Sequence, residues 1–162
     1  MKYPVLIISM LALPVYADVQ IDGNVEAKCI IQTDTSGVYG NPTATKLSTL
    51  PADGGVMPIV RYDVAVADYY TAKITHPSAF SSSPTLTDTV AWTGASSVSQ
   101  TTVAGMAGYD AAKVVYGSTT NFKLTLAGST WFKTSSTATY GVGKSFPGGT
   151  YTAVVKAECI AN

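Results

Sequence analysis

The chain has few charged residues, since Asp, Glu, Lys and Arg together make up 12% of its 162 residues. That is about half of the usual share for a globular protein. Ten basic and ten acidic side chains balance, and Arg61 is the only arginine. A basic face for nucleic acid is therefore excluded, and we expect no nucleic-acid partner. Ser, Thr, Val, Ala and Tyr are abundant instead, a composition typical of exported structural and adhesive β proteins.

Residues typical of catalytic and metal-binding sites are also scarce. The single histidine, His76, and the two cysteines show no spacing for a metal site. Neither Gly-x-Ser-x-Gly nor His-Glu-x-x-His occurs. His76 precedes Pro77 and is interpreted as a turn residue, and Asp53-Gly54-Gly55 as a turn, not a calcium loop. The sequence predicts no enzyme activity, no catalytic residues, no metal and no cofactor.

Residues 1–17 have the pattern of a secretory signal peptide. Lys2 is followed by an apolar run over residues 5–13, and Val15-Tyr16-Ala17 fits a cleavage site. The apolar run is too short to span a bilayer, which needs about 20 residues. We therefore expect an exported chain of residues 18–162. Without Lys2, nine basic groups face ten acidic groups, a net charge of about −1.

No segment of the sequence shows a sustained pattern of apolar residues at helical spacing. The nearest example, residues 103–115, contains Gly105 and Gly108 and predicts at most a short turn. Short β-rich runs alternate instead with Gly, Pro and Ser turns, which predicts seven to nine strands and an all-β sandwich or barrel. The predicted strands are 45–50, 59–67, 69–75, 87–93, 98–103, 121–127 and 150–160, with 131–140 either strand or loop.

The first residues after the leader alternate strictly in polarity. Every even position from 18 to 28 is polar, whereas the odd positions are apolar or small: Val19, Ile21, Gly23, Val25, Ala27, Cys29 and Ile31. This period of two indicates a strand with one buried face. Thirteen residues would extend about 43 Å, more than twice a typical strand. We therefore predict that the front half serves a sheet other than that of the back half, which points to assembly.

The end of the chain mirrors its beginning. From Tyr151 the odd positions Ala153, Val155, Ala157 and Cys159 form an apolar face, and no strand follows before Asn162. In a sandwich of immunoglobulin topology, a last strand of this kind needs a neighbour, and an exposed apolar edge invites one from another chain. Such a contact is heterologous and open-ended, so it generates a filament.

Both terminal segments resemble a known family. Val19-Gln20-Ile21-Asp22-Gly23-Asn24-Val25, followed by Cys29, resembles the donor-strand extension of chaperone–usher pilins. Gly149-Thr150-Tyr151-Thr152-Ala153-Val154-Val155 resembles their final strand, and residues 86–94 are similar to CS1/CFA-type major fimbrial subunits.

This resemblance implies an incomplete immunoglobulin-like sandwich, residues 26–162, completed by donor-strand exchange with the extension 18–25. Val19, Ile21, Gly23 and Val25 would enter the groove of the preceding subunit, with Gly23 at its shallowest point. Tyr151, Ala153, Val155 and Ala157 would line one groove wall. The implied partners are identical or related subunits, a periplasmic chaperone, an outer-membrane usher and a host or surface receptor, and the implied location is a fimbrium on the bacterial surface.

The two cysteines favour a disulfide in an exported chain. If an inserted strand separates the first and last strands, these lie about 9.6 Å apart, too far for a bond that needs Cα atoms within about 7 Å. A bond between Cys29 and Cys159 is therefore expected beyond the end of the inserted strand. Two free buried thiols and an intersubunit bond are the alternatives. Many pilins instead bridge the first strand to the second, and CS1-type subunits generally lack cysteine.

Two other functions compete with the fibre subunit. One is a self-contained secreted β-sandwich adhesin or carbohydrate-binding module, and the other is a secreted barrel that binds a small ligand. The aromatic residues that could stack on a sugar are Trp92, Trp131, Tyr62, Tyr69, Tyr70 and Tyr109. In a β domain such residues are more often core and cross-strand pairs, so we favour that interpretation.

Overall fold

The computed structural model describes residues 28–141 and 144–162, so the predicted leader and donor segment 18–25 lie outside the described residues. The strands are β1 (Cys29–Thr35), β2 (Gly40–Thr43), β3 (Lys46–Ser48), β4 (Ile59–Val64), β5 (Tyr70–Thr75), β6 (Val90–Thr101), β7 (Val114–Tyr116), β8 (Thr119–Leu124), β9 (Gly128–Tyr140) and β10 (Lys156–Ala161). The helical elements are two 3₁₀ turns (Pro51–Asp53 and Ala104–Gly108) and helix α1 (Tyr109–Ala112). None of the helices described is long and apolar enough to cross a membrane.

These strands form two antiparallel sheets. One has the order β1-β4-β9-β3-β2, with β6 also paired to β9, and the other has the order β10-β5-β8-β7. β9 is central to the first sheet, because its 13 residues pair with three strands, β4, β3 and β6. The prediction of an all-β chain is confirmed.

The two sheets pack face to face around an aromatic core. The ring of Phe132 in β9 lies 5.5 Å from that of Tyr62 in β4 and 4.3 Å from that of Phe122 in β8. All three side chains are fully buried. Because Phe122 belongs to the second sheet, these contacts join the two layers of a β-sandwich. The other members of the core cluster are Val60, Val64, Ala72, Ile74, Met106, Tyr109 and Leu124.

Several predicted boundaries were wrong. β6 is one strand of twelve residues where the sequence predicted two, and the ambiguous segment 131–140 belongs to β9. The predicted last strand 150–160 is paired in a sheet only from Lys156 onward. β1 continues to Thr35, past the end of the alternating pattern at Ile31. The reason is that backbone pairing with β4, not side-chain alternation, fixes where β1 ends.

Candidate functional site

A cleft of about 840 Å³ opens between β1 and the segment that precedes β10. One wall contains the end of β1 and the loop after it, with lining residues between 33 and 41. The opposite wall is formed by residues 146–155. Side chains of the first sheet, among them Leu47, Val60 and Ser136, also line the cleft. The cleft therefore lies between β1, an edge strand of one sheet, and the segment that leads into β10, an edge strand of the other.

The wall formed by residues 151–155 is an extended segment with a free backbone edge. Its odd-numbered side chains are half-buried and its even-numbered ones exposed. The Thr152 amide donates to the Ser82 carbonyl at 2.8 Å. Backbone groups alternate in direction along an extended chain, so those of Ala153 and Val155 point away from Ser82, on the side of the cleft. Within residues 28–141 and 144–162 these groups have no hydrogen-bond partner, which leaves a sheet edge open.

The disulfide lies at the other end of β1. Cys29 and Cys159 are bonded, with their Cα atoms 6.5 Å apart. The expected intramolecular bond is confirmed, and the alternatives of free thiols and an intersubunit bond are wrong. Neither cysteine lines the cleft. The two edge strands thus converge at the disulfide and are separated by the cleft further along.

The cleft lining is neutral. Every lining side chain in the described part of the chain is apolar, hydroxyl-bearing or amide. Tyr39 and Ser136 share a hydrogen bond of 2.9 Å, and the Ser136 amide donates to the Thr49 hydroxyl at 2.8 Å. Burial raises the pKa of the Tyr39 phenol, which keeps it uncharged. Such a lining suits an uncharged, apolar occupant, and in the described ranges no three His, Cys, Asp or Glu side chains group as metal ligands.

An aromatic cluster borders this wall. The ring of Tyr151 lies 5.0 Å from that of Phe80 and 5.2 Å from that of Phe146, and its hydroxyl donates to the Pro147 carbonyl at 2.6 Å. Phe80 in turn lies 4.7 Å from Trp92. Sequence reasoning missed Phe80 and Phe146, because both come from loops whose sequences show no periodicity.

The structure brings three of the four predicted groove residues together. Tyr151, Ala153 and Val155 line the cleft. Ala157 does not line it and packs against the core cluster, since at that point β10 has already joined the sheet. The predicted donor residues Val19, Ile21, Gly23 and Val25 are outside the described residues.

The aromatic residues considered for sugar stacking do not form one patch. Tyr62 and Tyr109 are buried in the core. Trp131 lies under the Arg61 guanidinium at 5.5 Å and donates through its indole nitrogen to Asp34 at 3.1 Å. The preference for core and cross-strand roles agrees with this separation.

Two turn residues have structural partners. His76 follows β5, but its side chain is buried against Gly94, where an added Cβ would lie 2.6 Å from the imidazole Cγ. Asp53 ends a 3₁₀ turn and forms an ion pair of 2.7 Å with Lys46.

The chain matches no family model, no curated protein and no solved structure.

Proposed function

We propose that this chain is a structural subunit of a bacterial surface fibre, which polymerises by donor-strand exchange and mediates adhesion. The observation that carries the proposal is the unpaired backbone edge at Ala153 and Val155, beside a neutral cleft between two sheet edges. Backbone groups in such a place require a partner, and an added strand supplies one along its whole length. The fold is then an immunoglobulin-like sandwich that lacks one strand.

The segment 18–25 has the right length and polarity to be that strand. Residues 151–155 extend over about 17 Å, and a seven-residue strand from Val19 to Val25 covers about 23 Å. Its apolar and small side chains at odd positions suit the uncharged lining, and its polar side chains at even positions would face solvent.

Chain direction favours a strand from a second molecule. β1 leads away from the disulfide, whereas residues 151–155 lead towards it. A segment that precedes Cys29 in the same molecule would have to run parallel to residues 151–155 to fill the cleft. A segment from another molecule is free to run antiparallel to residues 151–155, the wall whose backbone groups lack partners, and would then run parallel to β1. Antiparallel pairing, which every described strand pair shows, is slightly more stable and would form along this unpaired wall. The contact is then heterologous, and copies join head to tail.

The proposed partners follow from the open cleft. An unpaired apolar edge readily pairs with other polypeptide chains and aggregates, so a subunit that is not yet assembled needs a bound protein over this edge. A periplasmic chaperone and an outer-membrane usher, as the resemblance to pilins implies, would supply that cover and the site of assembly. The chain would be exported through the periplasm, and a host or surface receptor would be the target of adhesion.

A truncation with peptide rescue tests the proposal. The mature chain without residues 18–24 should lose polymerisation, measured by light scattering, and should bind a peptide of residues 18–26 that restores its unfolding free energy. A control peptide with Val19→Ser, Ile21→Ser and Val25→Ser should not bind.

The opposite result has a definite meaning. If the truncated chain stays folded and ignores both peptides, the self-contained β-sandwich adhesin or carbohydrate-binding module is the better interpretation. If the full mature chain never forms polymers while its cleft binds the peptide, the cleft is a peptide-binding site and not an assembly site.

A further inference from the structure

A second sheet edge, that of β6, is long and uncharged. β6 spans Val90–Thr101, and in the described part of the chain its only strand partner is β9. Its sequence, VAWTGASSVSQT, contains neither a charged residue nor proline. Charged residues and proline commonly protect long edge strands in proteins, because an unprotected edge can pair with other copies of the chain.

Two side chains from α1 and its C-terminal end occupy the middle of the edge. The Asp110 carboxylate accepts the Val98 amide at 3.1 Å, and the Lys113 ammonium donates to the Ser96 carbonyl at 2.9 Å. The two side chains also pair with each other at 3.4 Å. Ser96 and Val98 are two residues apart, so these are backbone groups on the same side of the strand. A neighbouring strand would use the same two groups.

Anchoring in the core holds this pair in position. Tyr109 precedes Asp110 and is buried, and its hydroxyl accepts the Leu126 amide at 3.1 Å. Met106, one turn earlier, is also buried and its sulfur accepts the Thr130 hydroxyl at 3.3 Å. The capping side chains therefore project from a fixed element, unlike an exposed surface ion pair.

We propose that Asp110 and Lys113 form an edge cap that prevents a second copy of this chain from pairing with β6. The strand that the cap keeps away is β6 of another copy. β6 carries no charged residue, so the β6 edges of two copies could pair without charge repulsion. The cap restricts association between copies to other surfaces. This inference does not depend on the function proposed for the cleft, which is lined by other residues.

The test compares full mature chains that carry Asp110→Ala with Lys113→Ala against the matched pair Asp68→Asn with Lys123→Ala, in which asparagine tolerates the positive φ of Asp68. Asp68 and Lys123 form an ion pair of 3.7 Å whose side chains are both 63% exposed. In dilute solution, loss of the cap should speed hydrogen exchange of the Val98 amide at least about tenfold, the effect of losing one hydrogen bond to a charged group. At higher concentration the variant without the cap should associate, and its Val98 amide should again be protected from hydrogen exchange. The control should behave as wild type.

Each outcome decides the proposal. If the double variant Asp110→Ala with Lys113→Ala folds and its association state equals that of wild type, the proposal is overturned. A lower unfolding temperature would not change this, because Asp110 and Lys113 would then stabilise the fold without preventing association at β6. If the double variant does not fold, Lys113→Met decides, since it removes only the donor to the Ser96 carbonyl. Concentration-dependent association in that variant supports the cap, and its absence overturns it.

Discussion

Cys29 and Cys159 connect the edge strand of one sheet to the edge strand of the other, with their Cα atoms 6.5 Å apart. The cleft lies further along, where the end of β1 and the loop after it, residues 33–41, face residues 146–155, which lead into β10. The disulfide thus closes one end of the space between the sheets and leaves the rest open. A strand inserted into the cleft must end before the disulfide, since bonded cysteines leave no room for a strand between them.

The disulfide is expected to be a large contribution to stability. It joins residues 130 positions apart, and the chain-entropy model gives about 5 kcal/mol for a loop of this length, less if reduced chains retain structure. Replacing both cysteines with serine should lower the unfolding free energy by several kcal/mol on this scale, measured with urea. Wild-type protein under reducing conditions should show the same loss. Equal stability of oxidised and reduced chains would contradict this role.

A large side chain on the cleft wall should block the occupant. Ala153→Trp places an indole in the cleft, where overpacking costs about 1–3 kcal/mol, and should weaken binding of the 18–26 peptide at least about tenfold. Val115→Trp is the control, because Val115 is 60% exposed on β7, at the edge opposite β10 in the second sheet. Calorimetric titration measures both. Equal affinity in the two variants would show that the peptide binds elsewhere.

Gly23 tests the register of the proposed donor strand. If Gly23 lies at the shallowest point of the groove, Gly23→Leu should prevent assembly by steric clash. Asn24→Leu is the matched control, since the adjacent side chain would face solvent and should leave assembly intact. Electron microscopy of the two variants distinguishes them. Fibres of normal length from Gly23→Leu would rule out this register.

A period of two along the chain predicted part of the fold. Tyr151, Ala153 and Val155 were recognised as one apolar face because they lie at alternate positions, opposite a mixed face. The structure leaves these three side chains half-buried and exposes Thr152 and Val154 between them. β9 could not be recognised in this way. Its buried positions include Thr134 and Ser136, whose side chains are polar but have hydrogen-bond partners inside the protein, as in the 2.9 Å hydrogen bond between the Thr134 and Ser96 hydroxyls.

The remainder of the cleft had no signal in the sequence. The wall opposite residues 151–155 contains Thr33, Thr35, Ser36 and Gly37, small and hydroxyl-bearing residues whose sequence shows no apolar period. Tyr39 and Ser136 are 97 residues apart. They meet because Tyr39 directly precedes β2, which pairs with β3, and β3 pairs with β9 in the first sheet. Such a contact depends on topology, which the local periodicity of either segment does not contain.

Tyr62 predicts how stability changes at high pH. Its side chain is fully buried, and its hydroxyl donates to the carbonyls of Lys73 at 3.3 Å and Glu158 at 3.2 Å. Burial raises the pKa of this phenol well above its usual value. In the unfolded chain it titrates near pH 10. The unfolded state therefore loses this proton first, and the unfolding free energy should fall as pH rises above about 10.

The variant Tyr62→Phe should remove this part of the alkaline decline, which amounts to about 1.4 kcal/mol per pH unit once the phenol is fully ionised in the unfolded chain. At neutral pH the same change should cost about 1 kcal/mol, because the hydrogen bonds of the hydroxyl are lost. Urea unfolding at a series of pH values measures both effects. Tyr116→Phe is the control, since Tyr116 is 85% exposed on β7. If both variants decline with the wild-type slope, another buried group causes the alkaline loss, and the Tyr62 hydroxyl does not couple stability to pH.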